Sequence, residues 1–405
     1  MVGTDVETGS GGSGEVLADG DAIREVAEEI REHGACALDL EFVSESRYVP
    51  ELGLVQVAWG DPDRPRVAAA DPLAADVEPL VDLVADPNVR VVIHAAQGDL
   101  SLISDRFGRT GRRVVDSQIA AAFLGIGDQV GFTKLVSHTV GEELDKSSQF
   151  TDWLRRPLST DQVRYALDDV RYLWPAWTEL ERRLLRMGRL EWVEEESERL
   201  AREAAHRPPP QEAYRKIGGW NRLKPRGLGA LRALARWREE EALASNTPPS
   251  WLLPDRTVLE LARRPPRDVA GLERVRGVKR GVVQRHGRDI LQVLQRGSSD
   301  PTEVERPPRP LPGKGQTWAS LLSGLIQARC READVAPRFV GARADAEALV
   351  RWWMNGQREG RVEPDLPLLR GWRRDLVGEE ALAWLAGEIA LAADPDAESG
   401  VRVVR

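Results

Sequence analysis

At 405 residues the chain exceeds what one hydrophobic core ordinarily organises, so two or three domains are expected. Its composition, 41% hydrophobic and 30% charged with no apolar run of about 18 residues, excludes a membrane-spanning helix. Two cysteines far apart in sequence, Cys36 and Cys330, exclude a disulfide framework and a Cys-based zinc site. The net charge of −8 conceals a division along the chain. Lys and Arg number 23 against 39 Asp and Glu over residues 1–210, and 19 against 9 over 211–296. An acidic block can hold cations and a basic one can neutralise phosphates, although either can also be plain solvated surface.

In chain order, residues 1–16 are Gly/Ser-rich and acidic. They lack the basic start and apolar stretch of a secretion signal, so a disordered leader and a cytoplasmic protein are expected. The runs ACALDLEF (35–42), LGLVQVAW (52–59) and RVAAAD (66–71) read as strands, and the short loops between them favour an antiparallel meander. A helical stretch near 76–85 follows, then a β run VRVVIH (89–94), a helix from about 97, a short VVD strand and further helices. This is a mixed sheet with helices packed on it, over residues 17–206. The proline-rich stretches HRPPPQEAY (206–214) and GSSDPTEVERPPRPLPGKG (297–315) read as linkers. Beyond them, 211–296 and 316–395 are predicted helical throughout, with no strong β signal; Leu228, Leu231, Leu234 and Trp237 show the spacing.

Three segments carry candidate chemistry. Asp39 and Glu41 stand two apart on a strand, so both project from one face. An edge strand wetted on that face would explain them, but the apolar flanks Leu38, Leu40 and Phe42 weigh against it. Two carboxylates buried together need a cation between them, and hard oxygen ligands suit Mg²⁺ or Mn²⁺. In HAAQGDL (94–100), Asp99 follows a β run at a helix start, where an acid facing the helix dipole is the plainer reading. In STDQVRYALDDVRYLW (159–174), Ser159 and Gln162 form a capping-box pattern, and Tyr165 and Asp169 share a helical face.

D-x-E on the first strand, an Asp at a strand-to-helix junction and Y-x3-D on a late helix together resemble the DEDD exonuclease superfamily, tyrosine subclass. The segments VVDSQIAAAFLG (114–125) and LDKSSQFTDWLRRPLSTDQVRYALDDVRYLWP (144–175) are similar to the ribonuclease D family over nearly all of residues 20–200. The resemblance implies a ribonuclease H-like fold and a two-metal 3′→5′ exonuclease releasing nucleoside 5′-monophosphates. It places Asp39, Glu41, Asp99 and Asp169 as metal ligands and Tyr165 as the catalytic tyrosine. Among the neighbours, Asp116 reads as an N-cap and Asp168 as solvated. Asp152 and Trp153 match the family's DW pair, for which packing is expected. His94, Lys146 and Gln149 are candidate substrate contacts, with a core hydrogen bond the plainer role for His94.

Residues 213–294, with WREEEA (237–242) and GLERVRG (271–277), resemble an HRDC domain, and their basic excess favours nucleic-acid contact. Residues 316–395 resemble the C-terminal part of ribonuclease D, where a second, divergent HRDC-like bundle is expected. Trp352 and Trp353 are expected to pack there. The implied partner is RNA with a free 3′ end, such as a tRNA precursor, acted on by a monomer with two divalent cations, no small-molecule cofactor and no membrane. A DNA exonuclease on the same fold and a non-catalytic RNA-binding protein are the alternatives.

Overall fold

Alternation decides the middle of the sheet in this computed structural model, which describes residues 6–8, 12–144, 151–301, 309–356 and 363–404. Strand β3 (Ala35–Val43) sends Cys36, Leu38 and Leu40 into one core and Ala37 into another. Asp39 and Glu41 share the face of Ala37. That face meets the long helix Thr160–Met187, whereas the opposite face meets the helix Gly20–His33.

The other strands are β1 (Val6–Thr8), β2 (Gly12–Leu17), β4 (Glu51–Trp59), β5 (Arg66–Ala70), β6 (Arg90–Ile93) and β7 (Val114–Asp116). Their order is β1-β2-β5-β4-β3-β6-β7. β3, β4 and β5 form the antiparallel meander predicted from their short loops, and β6 and β7 add in parallel to β3. β3 is therefore central, and its ladder pairs Asp39 with Gln56 and Glu41 with Leu54 before a bulge at Glu41/Phe42. The leader expected to be disordered instead contributes β1 and β2. Glu15, Val16 and Leu17 run parallel to Ala68, Ala69 and Ala70, extending the sheet through backbone hydrogen bonds that small and polar residues make as well as apolar ones.

Ser159 and Gln162 form the capping box that starts the helix Thr160–Met187, and Gly188 (φ 65°) ends it. Its buried stripe includes Val163, Ala166, Val170, Leu173 and Trp177. The following helix, Leu190–Ala205, packs on β7 and the helix Gln97–Phe107.

Residues 213–294 hold a core of their own, built on Tyr214, Leu231, Leu234, Leu261 and Ile290. The helices Pro225–Ala244 and Arg280–Ser299 cross at glycines: a Cβ at Gly229 would lie 2.3 Å from the Gly297 carbonyl oxygen.

The third block departs from the expectation of a separate bundle. Its helices Gly313–Glu332, Arg343–Asn355 and Glu379–Ala386, with the short turns Pro337–Val340 and Gly371–Arg373, bury Leu325, Phe339, Leu349 and Trp372 in one cluster with Phe123, Trp177 and Val193 of the sheet domain. Phe123 meets both Phe339 and Trp372 at 5.1 Å between ring centroids, and Trp192 stacks on Trp372 at 5.0 Å. Buried Arg373 is paired with fully buried Glu196 and donates to the Phe339 carbonyl at 2.6 Å. Trp352 and Trp353 are half-buried against the same cluster. An antiparallel hairpin pairs β8 (Ala390–Ala393), where only helix was predicted, with β9 (Val401–Val404) beyond the predicted block.

Candidate active site

Three elements converge on one cleft of about 580 Å³. Its lining includes Asp39 and Glu41 from β3, Asp99 from the first turn of Gln97–Phe107, and Tyr165 and Asp169 from Thr160–Met187. Ligand oxygens of Asp39, Glu41 and Asp169 lie within 4.8 Å of one another. Asp99 completes the set at the same cleft, and its charge acts on Asp39 and Glu41. All four carboxyls are held well above the usual carboxylate range. Burial is the larger cause, and mutual repulsion adds to it for Glu41, Asp99 and Asp169. Such a cluster either keeps protons or takes up cations.

Each carboxylate is placed by structure outside itself. Asp99 depends on the turn between β6 and its helix, where Ala95 takes a left-handed backbone (φ 56°), unusual for a residue with a Cβ. Asp116 holds that turn. Its buried carboxylate accepts from the amides of Ala95 (3.0 Å), Ala96 (2.9 Å) and Gln118 (2.7 Å). Asp116 is thus the N-cap read from sequence, and it also clamps the turn that carries Asp99.

The Tyr165 hydroxyl bonds to Asp169, and burial together with the surrounding carboxylates pushes its own ionisation up, so the phenol stays protonated. The Tyr165 ring packs on Trp153 at 6.2 Å, and Trp153 is seated so tightly over β4 that a Cβ at Gly53 would lie 2.8 Å from its Cβ. Arg156 fixes this segment by a two-pronged bond to Asp71 (2.6 Å each) and by bonds to the carbonyls of Gly53 and Trp153 (2.8 Å each). Asp152 accepts from the Leu154 amide, so the DW pair is structural in its contacts. Asp168 pairs with Arg171 at 2.9 Å and takes no part in the cleft lining.

His94 lines the cleft and bonds Ser117 Oγ through Nδ1 at 2.9 Å. Burial lowers its pKa to about 4, so the imidazole is neutral near pH 7. Lys146 and Gln149 lie outside the described residues. The helix Phe132–Thr139 is among the further helices expected after the VVD strand, but the sequence reading did not single out its Phe132, Thr133 and Lys134, which line the cleft. The signal was the apolar spacing of Phe132, Leu135 and Val136, which leaves Lys134 on the outer face.

The model of a 3′-5′ exonuclease family matches residues 15–185, and that of the HRDC domain matches residues 227–294. A ribonuclease D from Gluconacetobacter diazotrophicus is 39% identical over 94% of this chain and 93% of its own. The chain belongs to the ribonuclease D family. A second ribonuclease D, from Granulibacter bethesdensis, is 38% identical over 90% of this chain and 91% of its own. The crystal structure of Escherichia coli RNase D, described as an exoribonuclease involved in structured RNA processing, superposes with a TM-score of 0.80 at 28% identity. It covers 92% of this chain and 98% of that one. As a member of the ribonuclease D family the chain is a 3′→5′ exoribonuclease, with an exonuclease domain ahead of a helical HRDC region.

Proposed function

We propose that the chain trims the 3′ ends of structured RNAs such as tRNA precursors, releasing nucleoside 5′-monophosphates. Convergence of four carboxylates, Asp99 buried and Asp39, Glu41 and Asp169 partly so, and one protonated tyrosine on a single cleft carries this reading. The donor set fits divalent ions: among the described residues it is all hard oxygen, with no thiolate. The fully buried amide of Gln56, opposite Asp39 on β4, has no protein partner and leaves a further polar group to be satisfied there. Asp39, Glu41, Asp99 and Asp169 would hold two such ions, Mg²⁺ or Mn²⁺, whose chemistry is to activate water and offset charge on the leaving 3′ oxygen.

The chain's own groups do the rest. The Tyr165 hydroxyl, its proton given in a hydrogen bond to Asp169, offers its oxygen as acceptor to an attacking water and orients it in line with the scissile bond. Neutral His94 and the Phe132 ring, 5.5 Å apart, form a wall against which the terminal nucleotide rests. Lys134 supplies a positive charge to the cleft for the phosphate backbone. The test is release of labelled mononucleotide from RNA and from matched DNA, with Mg²⁺, Mn²⁺ or EDTA. Metal-dependent release from RNA in preference to DNA is expected. Equal rates on both would reassign the substrate, and release that persists in EDTA would remove the metal site.

A further inference from the structure

Along β4 the residues Leu54, Val55, Gln56, Val57 and Ala58 alternate between two cores. Val55 and Val57 bury on the face that meets Gly20–His33, whereas Leu54 and Ala58 bury on the face that meets Thr160–Met187. Gln56 shares that second face by strand periodicity, and it is 0% exposed. Neither its Nε2 nor its Oε1 has a hydrogen-bond partner among the described residues. A carboxamide withdrawn from water without partners is costly. An apolar side chain between Leu54 and Ala58 would pack there without that cost, so the amide points to a partner.

The register limits what that partner can be. Gln56 stands opposite Asp39 on β3 and opposite Ala69 on β5. The next residues on the same face are Ala37 and Glu41 of β3 and Val67 of β5. The polar side chains beside it on the sheet are thus Asp39, directly across, and Glu41 on the diagonal. Directly opposed residues have Cβ atoms roughly 4.5–5.5 Å apart, within reach of a glutamine that turns its carboxamide. Gln56 does not line the cleft, so it lies behind Asp39 and acts through it. Two of the other carboxyls already have such support: Asp169 is bonded by Tyr165, and Asp99 rides on the turn that Asp116 clamps.

We propose that Gln56 is the positioning residue for Asp39. Its Nε2–H donates to the Asp39 carboxylate when divalent ions occupy the cleft, and so aims the remaining lone pairs of that group at them. A donor to an ionised carboxylate makes a stronger bond than one between neutral groups. Partners of this kind behind a metal ligand fix its direction. The inference rests on the metal-dependent reading, and it adds how the ligand from β3 is aimed.

The test follows Mn²⁺ binding to the full chain, without RNA, through loss of the free ion's electron paramagnetic resonance signal. Gln56→Met keeps the shape of the side chain and removes the donor. It should weaken Mn²⁺ binding by roughly ten- to hundredfold while circular dichroism stays native. Val67→Ala opens a cavity on the same face of the sheet, and it should lower the unfolding midpoint yet bind Mn²⁺ as wild type does. A second measurement needs no variant to fold. In wild-type protein carrying isotopically labelled glutamine, Mg²⁺ should move one Nε2 proton of Gln56 downfield in the NMR spectrum. Wild-type Mn²⁺ affinity in Gln56→Met, an equal loss in Val67→Ala, or an Nε2 proton that ignores Mg²⁺ would overturn the assignment. Wild-type protein that still binds Mn²⁺ would in each case leave the metal-dependent reading standing. Absence of Mn²⁺ binding by wild-type protein would instead sink the reading on which the inference rests.

Discussion

Replacing Asp39 by Asn should make the metal-free protein more stable while abolishing its activity. Burial raises the Asp39 pKa from 3.8 to about 7. Below pH 4 the carboxyl is protonated in both the folded and the unfolded chain and costs nothing. Between those values the folded protein keeps a proton that the unfolded chain has lost, so stability falls as pH rises through the window. Above about 7 the whole penalty applies. At pH 8 it is on the order of 4 kcal/mol, since each pH unit of difference corresponds to about 1.4 kcal/mol. Asn fills the same volume without charge and also removes the repulsion that Asp39 exerts on Glu41, Asp99 and Asp169. In EDTA at pH 8 the unfolding midpoint of Asp39→Asn should therefore exceed wild type by about 3–10 °C, with the two nearly coincident at pH 4. Saturating Mg²⁺ should narrow the gap, because a ligand at a hundred times its Kd stabilises the wild type by about 2.7 kcal/mol. Thermal melts at three pH values, with and without Mg²⁺, decide the matter. An Asp39→Asn protein no more stable than wild type at pH 8 in EDTA would refute the picture of a strained carboxylate cluster.

Tyr165→Phe should lower kcat by about 10²–10⁴ with RNA affinity nearly unchanged, measured by single-turnover release beside a binding isotherm. A binding defect with a normal rate would assign the hydroxyl to substrate contact. Asp116→Ala leaves three amides without their acceptor and should cost about 2–4 kcal/mol of stability. It should also raise the Mg²⁺ concentration needed for half-maximal rate, through displacement of Asp99; an unchanged Mg²⁺ titration would count against the clamp. Phe123→Ala should destabilise the protein by about 3–5 kcal/mol and speed proteolysis of the C-terminal block, because its ring touches Phe339 and Trp372. Protection equal to wild type in limited proteolysis would show that the two parts do not depend on this contact.

Local pattern made some of this legible and contact across distance hid the rest. Asp39 and Glu41 could be read as a pair because strand periodicity is two, and Tyr165 with Asp169 because helical neighbours fall four apart. Asp99 had no such signal. Its place comes from a left-handed Ala95 held by Asp116, a bond between segments 21 residues apart that neither segment announces alone. Lys134 was hidden for a similar reason, since an exposed lysine on a short amphipathic helix looks like any solvated charge until the sheet places it at the cleft. The strands in the leader escaped because backbone pairing with β5 does not require apolar side chains. The apolar stripes of the third block were visible, but a stripe does not name its partner. Nothing in residues 316–395 says that Phe339 and Trp372 pack on Phe123 rather than only on each other.

That common core ties the nuclease to the order in which a ribosome makes it. Phe123 and Val193 are synthesised well before Phe339, Trp372 and Arg373; until the later residues emerge their apolar faces lack their partners, and Glu196 keeps only Arg199 of its two. A nascent chain halted near residue 300 would carry all four cleft carboxylates and a finished HRDC core, yet its helical face would still be open to water. That face is covered only when the last part of the chain packs on it.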